Sequence, residues 1–170
     1  AEDLFVPSVR ALTFEKSVDP NRALLTLVIA GPVLGAAEAA MECFRGMLKQ
    51  SNNAVDRQRF ARLGAEVRSA RLILMDAAYE VDQSLLELSV LPQPVQLRIA
   101  RDTAFAAGRL QQVVNELFAA VSGRALHESE PLQQLWRDIT AGCSHARLRW
   151  DLPAEMWAVM ALAEDEPPSG

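Results

Sequence analysis

The sequence has few of the residues that mark metal, redox or nucleic-acid sites. It contains two cysteines, Cys43 and Cys143, and two histidines in 170 residues, and the cysteines form no CxxC pair, so we expect no metal site. The 17 basic residues are interspersed with 22 acidic ones, whereas nucleic-acid binding requires clustered positive charge. We therefore expect no nucleic-acid partner. Reduced thiols are typical of a cytoplasmic protein, which is the compartment that we expect.

Long apolar runs are also lacking. The longest, at 23–37, is too short for a bilayer and contains Pro32. No basic segment precedes it, as one would in a signal peptide. We therefore expect no membrane association. The first residue is Ala1, so we expect either a processed start or a longer parent protein.

Helical periodicity is what the sequence contains in abundance. Between about 55 and 88, and again between 99 and 120, apolar residues recur at steps of three and four, which is typical of amphipathic helices in a bundle. An earlier helix is predicted from about 20 to 49, where Gly31 and Gly35 indicate a bend or the close approach of a neighbour.

The second half of the chain predicts two more helices. Ser129 is placed to cap a helix that we expect to run to about Trp150. Pro153 should interrupt it, and a shorter helix follows at 154–163. The predicted fold is therefore all-α, an up-down four-helix bundle with a short extended N-terminal arm. We assign 1–20 to the arm and linker, 21–163 to the bundle domain and 164–170 to a disordered tail.

The stretch "PLQQLWRDITAGCSHARLRWD", at 131–151, is the best candidate for chemistry. On one helix, Asp138 and His145 would share a face at a separation of about 10.5 Å, with only Ala141 and Gly142 between them. Histidine is well suited to moving a proton near neutral pH, so this face predicts the wall of a flat pocket. The alternative is that His145 is a surface or packing residue. We interpret Cys143 as a small buried hydrophobe rather than a nucleophile.

The order of several segments resembles a known family. "DLFVP", "LVIAGPVLGAAEAAMECF", "AEVRSARLILMDAAYEV" and the long segment beginning "AGRLQQVVNELF" resemble the C-terminal helical domain of the acyl-CoA dehydrogenase superfamily. The similarity is greatest to the branch that contains the two-component flavin-dependent monooxygenases. Its most specific part is "SGRAL", then "SEPLQQLWRD", with a histidine seven residues after the aspartate.

The resemblance implies a role for particular residues. His145 matches a histidine near flavin and substrate that is proposed as an acid or base. Five residues match the segment that lines the flavin site of a neighbouring subunit: Ser122, Gly123, Ser129, Arg137 and Asp138. The implied cofactor is reduced FMN or FAD, supplied by a separate reductase. His127 stands where many relatives have Tyr or Phe.

The resemblance also implies an assembly. The bundles of such subunits meet to form dimers or tetramers, and apolar residues at several angles along 23–37 favour a homo-oligomer here too. The family's N-terminal domain and β-barrel are absent from this sequence, so a partner chain is one possible source of them.

Two hypotheses of function follow. In the first, the chain is the C-terminal helical part of a flavin-dependent monooxygenase or acyl-CoA-dehydrogenase-like oxidoreductase. In the second, it is a standalone bundle that has lost flavin and acts as an oligomerising partner or as a small cyclase or isomerase. The first is favoured by the motif at 129–145, and a coiled-coil adaptor is disfavoured by Pro92, Pro94 and Pro131.

Overall fold

A computed structural model describes residues 22–49, 53–121 and 130–163 of the chain. In these ranges the regular elements are all helices, which confirms the predicted all-α fold. They are α1 (Arg22–Leu48), α2 (Ala54–Leu86), α3 (Gln93–Ala120), α4 (Pro131–Cys143) and α5 (Asp151–Ala163). The predicted arm at 1–20 and tail at 164–170 lie outside the described residues.

The four bundle helices alternate in direction, as an up-down bundle requires. Between α2 and α3, Arg98 is paired with Glu80 and Arg109 with Glu66, both at 2.6 Å, so the chain numbers run in opposite directions. The contacts between α1 and α2 and those between α3 and α4 also run in opposite directions along the chain. They are Glu38 with Arg71, Met41 with Gly64, Asn115 with Trp136, and Ala107 with Cys143. The connections from α1 to α2 and from α2 to α3 are short, which favours antiparallel neighbours.

The hydrophobic core lies around α1 and α3. These two helices contact each other and both flanking helices, α2 and α4, whereas the flanking helices do not contact each other. Helix α5 contacts only α3 among the five helices. The largest fully buried side chains come from α2, α3 and α4, and they include Leu63, Ile99, Leu110, Leu117, Leu132 and Ile139.

Helix α1 is longer than the apolar run that predicts it. By length and composition alone, Ala23–Leu48 would be able to cross a membrane, so the argument that this segment is too short for a bilayer is wrong. The helix continues beyond the run because alanines follow it, and alanine strongly favours helix. In the fold, Ala30, Val33 and Phe44 are buried against the other helices. Helix α1 therefore occupies the position of a core helix in a bundle.

The second half of the chain departs from the predicted boundaries. Helix α4 ends at Cys143 rather than near Trp150, and its N-cap residue is Glu130 rather than Ser129. Helix α5 begins at Asp151, so Pro153 lies in its first turn instead of interrupting a helix. Proline is tolerated there because the first N–H groups of a helix have no intrahelical acceptor.

Candidate functional site

A tight turn follows α4 and contains His145. The Ser144 N–H donates to the carbonyls of Thr140 and Ala141, both at 3.2 Å, and its hydroxyl donates to Ala141 at 2.6 Å. The His145 N–H then donates to Gly142 at 3.1 Å. These bonds satisfy carbonyls of the last helical turn and end the helix, since serine competes for backbone partners in this way.

The turn also buries Leu148, whose N–H donates to the His145 carbonyl at 2.9 Å. The sequence predicts a straight helix to Trp150 because apolar residues continue at helical spacing through this segment. The burial of Leu148 in the core cluster is what redirects the chain here.

Asp138 and His145 consequently do not share a helical face. The prediction of a two-turn face on one helix is wrong, because the helix ends two residues before His145. Arg137 and Asp138 are exposed on α4, and neither lines the cleft that His145 lines. The other predicted flavin-site residues, Ser122, Gly123 and Ser129, lie outside the described residues, as does His127.

His145 instead lines a cleft of about 500 Å³ at one end of the bundle. The cleft lies between the first turns of α1, α3 and α5 and the turn after α4. Its lining residues are Ala23, Thr26, Gln93, Gln96, Leu97, Ala100, His145, Ala146, Arg147, Leu152, Pro153 and Met156. An opening of this size, mostly apolar with a few polar groups, is typical of a small-molecule site.

The imidazole of His145 is fixed in one tautomer by its own turn. The backbone N–H of Arg147 donates to Nδ1 of His145 at 3.2 Å. Because Nδ1 accepts this bond, the proton of the neutral ring is on Nε2. His145 therefore presents Nε2–H as a hydrogen-bond donor.

The remaining polar groups of the cleft are amides, one hydroxyl and one cation. Gln96 is oriented by its Nε2, which donates to the Leu91 carbonyl at 2.7 Å. Gln93 and Thr26 are the other uncharged polar residues, and Arg147 is the cation. Within the described part of the chain, no aspartate or glutamate lines the cleft, so these residues favour acceptor or anionic groups on a ligand.

The small residues beside His145 have a packing role. A Cβ atom on Gly142 would lie 2.9 Å from Cγ2 of Val33, a separation that side chains do not tolerate. Gly142 therefore permits α4 to approach α1, and the turn with His145 follows directly. By contrast, a Cβ atom on Gly31 or Gly35 would meet no atom within 4 Å, so the close approach predicted for α1 glycines occurs at Gly142 instead.

The two thiols are not activated for nucleophilic chemistry. Burial raises the pKa of Cys143 to about 11, and its Sγ–H donates to the Ala107 carbonyl at 3.5 Å, as expected for a buried hydrophobe. Burial, with the charges of Glu130 and Glu42, also raises the pKa of Cys43. Within 22–49, 53–121 and 130–163, no group of three His, Cys, Asp or Glu side chains is placed to hold a metal ion.

Sequence reasoning found His145 but missed most of the cleft. The α3 and α5 residues Gln93, Gln96, Leu152 and Met156 were not singled out, since nothing in their local pattern connects them with residue 145. Only the antiparallel packing of the helices brings these segments to one end. Pro153 was a weak signal for the cleft. Because proline is favoured in the first turn of a helix, it indicates that a new helix begins shortly after the end of α4.

Curated relatives of the chain are oxygenase subunits. It is 26% identical to the flavin-dependent monooxygenase, oxygenase subunit HsaA of Rhodococcus jostii (strain RHA1), over 85% of this chain and 45% of that protein. It is 24% identical to the HsaA subunit of Mycobacterium tuberculosis (strain ATCC 25618 / H37Rv), over 85% of this chain and 44% of that one. The chain thus spans less than half the length of the curated relatives that it matches.

Solved structures share the fold. The 3-HSA hydroxylase of Rhodococcus sp. RHA1 matches with a TM-score of 0.76 and 24% identity, over 89% of this chain and 40% of that one. XiaF from Streptomyces sp., solved with FADH2 and glycerol, matches with a TM-score of 0.79 and 23% identity, over 92% and 43%. The family model described as acyl-CoA dehydrogenase, C-terminal domain, matches residues 27–150. The resemblance predicted from the sequence is confirmed, and the chain belongs to the acyl-CoA dehydrogenase C-terminal domain family.

Proposed function

We propose that this chain forms the C-terminal helical part of a flavin-dependent monooxygenase and that His145 moves a proton in the cleft where the substrate binds. The single observation that carries the proposal is the position of His145. It lies in an apolar cleft of about 500 Å³ at the junction of four helix ends, in a chain whose curated relatives are flavin-dependent oxygenase subunits.

The cleft fits the flat ring part of a flavin or of a ring-shaped substrate. Its apolar walls suit ring faces, and the Gln93 amide and the His145 Nε2–H suit the acceptor atoms at ring edges. When bound, reduced flavin supplies the electrons that activate dioxygen. His145 donates a hydrogen bond or a proton at Nε2 to an oxygen of the ligand.

The cofactor, in this proposal, is reduced FMN or FAD delivered by a separate reductase. Arg137 and Asp138 are exposed on α4 and are not among the residues that line the cleft. Their exposure supports a role in lining the flavin site of a neighbouring subunit, together with Ser122, Gly123 and Ser129. A flavin site of this kind requires a dimer or tetramer.

The assembly is proposed to form through the helical bundle in the cytoplasm. On the outward face of α1, Val28, Pro32 and Gly35 are exposed and uncharged, and burying such a face against another bundle is favourable. The chain spans less than half the length of its curated relatives, and the family resemblance implies an N-terminal domain and a β-barrel in addition to this bundle. We propose that a preceding segment or a partner chain supplies them.

The test is anaerobic titration of the chain with reduced FMN and reduced FAD, monitored by flavin fluorescence. Binding that is weakened by His145→Ala but not by Arg149→Ala is the expected result, because Arg149 pairs with Asp151 outside the cleft. The titration is repeated with the barrel-containing part of a relative added in trans. The proposal is contradicted if neither flavin binds, with or without the added barrel-containing part. The oligomer is contradicted if light scattering shows a monomer at micromolar concentration.

A further inference from the structure

We propose that the His145 cleft recognises an apolar ligand through its carboxylate, which the Arg147 guanidinium and the His145 Nε2–H hold together. The inference rests on the proposed function in that the carboxylic acid is the substrate of that site. It adds the chemical class of the ligand and a residue, Arg147, that the family resemblance does not single out.

The charge of Arg147 is unpaired among the described residues. Eight arginines in the described ranges are in ion pairs with Asp or Glu: Arg45, Arg59, Arg62, Arg71, Arg98, Arg101, Arg109 and Arg149. Arg147 is half-buried in the cleft wall, and its guanidinium has no ion-pair partner within the described part of the chain. A partly buried cation without a counterion is unfavourable until an anion binds.

The shape of the hydrogen-bond donors in the cleft favours a carboxylate. A guanidinium presents two parallel N–H groups, which match the two oxygens of a carboxylate better than they match a single hydroxyl oxygen. Two residues earlier, His145 presents its Nε2–H because the Arg147 backbone N–H occupies Nδ1. The same residue therefore supplies the cation and fixes the neighbouring donor.

The described part of the cleft contains no competing negative charge. Among the described residues, no carboxylate lines the cleft, and neither α1 nor α3 has an acidic residue in its first turn. Asp151, in the first turn of α5, is paired with Arg149 at 2.7 Å. The N-terminal ends of these three helices also favour an anion through their dipoles, whereas the end of α4 has its carbonyls satisfied by Ser144 and His145.

The rest of the ligand is apolar. Leu97, Ala100, Leu152, Pro153 and Met156 form the walls, and a methionine adapts to flat rings of different shapes. The cleft volume of about 500 Å³ accommodates a bicyclic ring. The expected ligand class is thus an aromatic or alicyclic carboxylic acid.

The experiment compares two probes of the same shape and different charge, 2-naphthoate and 2-naphthamide. Their Kd values for the full chain are measured by isothermal titration calorimetry and by ligand-observed NMR. We expect 2-naphthoate to bind at least about tenfold more tightly than 2-naphthamide, since charge-assisted bidentate pairs are the stronger ones. In Arg147→Gln this preference should fall to about twofold or less, whereas Arg149→Gln, which loses the same charge outside the cleft, should retain it.

A second pair of variants tests the His145 donor. A glutamine amide N–H reaches the position of the imidazole Nε2, whereas an asparagine amide reaches only the position of Nδ1. We therefore expect His145→Gln to keep the affinity for 2-naphthoate within about threefold and His145→Asn to lose about tenfold. Thermal melts of all variants establish that each is folded at the titration temperature.

Several outcomes overturn the inference. Equal affinity for the two probes, no binding of either probe, or equal losses in Arg147→Gln and Arg149→Gln each contradict it. Displacement of 2-naphthoate by millimolar inorganic phosphate would assign the site to a phosphate group and also contradict a carboxylate. The flavin titration is a separate readout, because a carboxylate preference without flavin binding refutes only the proposed function, and flavin binding without the preference refutes only this inference.

Discussion

Substitution of Gly142 by alanine tests how closely α4 approaches α1. The added Cβ atom would lie 2.9 Å from Cγ2 of Val33, which is a buried, β-branched residue of α1. Because such a side chain is stiff at χ1, it cannot rotate away from the new methyl group without strain. One of the two helices must therefore shift.

The magnitude follows from two opposed effects. Overpacking of a core contact costs about 1–3 kcal/mol of unfolding free energy. Alanine is favoured over glycine in a helix by up to about 1 kcal/mol, and less than this in the last turn. Overpacking is the larger effect, so Gly142→Ala should lower the unfolding free energy by about 1 kcal/mol.

The assay is a double-mutant cycle with Val33→Ala, measured by urea unfolding monitored by circular dichroism. Val33→Ala alone should cost about 2 kcal/mol because it removes buried methyl groups. In the Val33→Ala background the added methyl group at position 142 has room, so the effect of Gly142→Ala should reverse its sign and become stabilising. The coupling energy should be about 1–3 kcal/mol.

Gly35→Ala is the matched control. Among the described residues, a Cβ atom at Gly35 meets nothing within 4 Å, so this change should stabilise the protein by up to about 1 kcal/mol through helix propensity alone. If Gly142→Ala stabilised the protein as much as Gly35→Ala did, and showed no coupling to Val33, the close approach of α4 to α1 would be refuted. The position of His145 relative to α1 would then have to be explained differently.

Three other substitutions have defined outcomes. Thr103 is buried and its hydroxyl has no hydrogen-bond partner among the described residues. Thr103→Val should therefore raise the unfolding free energy by about 1 kcal/mol, while a loss on urea unfolding would reveal a missed partner. The raised pKa of Cys143, about 11, keeps its thiol protonated in the folded state at pH values where the unfolded chain has lost the proton. Stability should therefore fall by about 2 kcal/mol from pH 9 to 11, and this slope should flatten in Cys143→Ala. Arg101→Met removes the cation 3.8 Å from the Trp157 ring, which should cost about 0.5–1 kcal/mol and shift the tryptophan fluorescence to the red, whereas unchanged melting and emission would count against the contact.

The helices were predictable where a single face is buried throughout. Helix α2 buries Leu63, Val67, Ala70 and Leu74 at steps of three and four, so its period alone determines which residues enter the core. Helix α4 was not predictable to its end, because its apolar period continues past Cys143. The hydrogen bonds of Ser144 and the burial of Leu148 end the helix there, and the spacing of apolar residues predicts neither of them.

The candidate site was predictable only in its central residue. His145 was identified because histidine has an unusual chemistry, and Gly142 because glycine is costly in a helix. In the structure, Gly142 lies against Val33, which is on a helix far earlier in the chain. Contacts of this sequence separation depend on how helices pack, so Thr26 and Met156 had no local signal connecting them with the site.

The single-helix attachment of α5 has a consequence for motion. Helix α5 contacts only α3 among the helices, yet it supplies Leu152, Pro153 and Met156 to the cleft wall. Its amide protons should therefore exchange with deuterium through a local opening that leaves the four-helix core intact, at a lower free energy than global unfolding. A ligand that spans the cleft would couple α5 to α1 and slow this exchange selectively, so that the protection of one terminal helix reports occupancy of the site without any measurement of turnover.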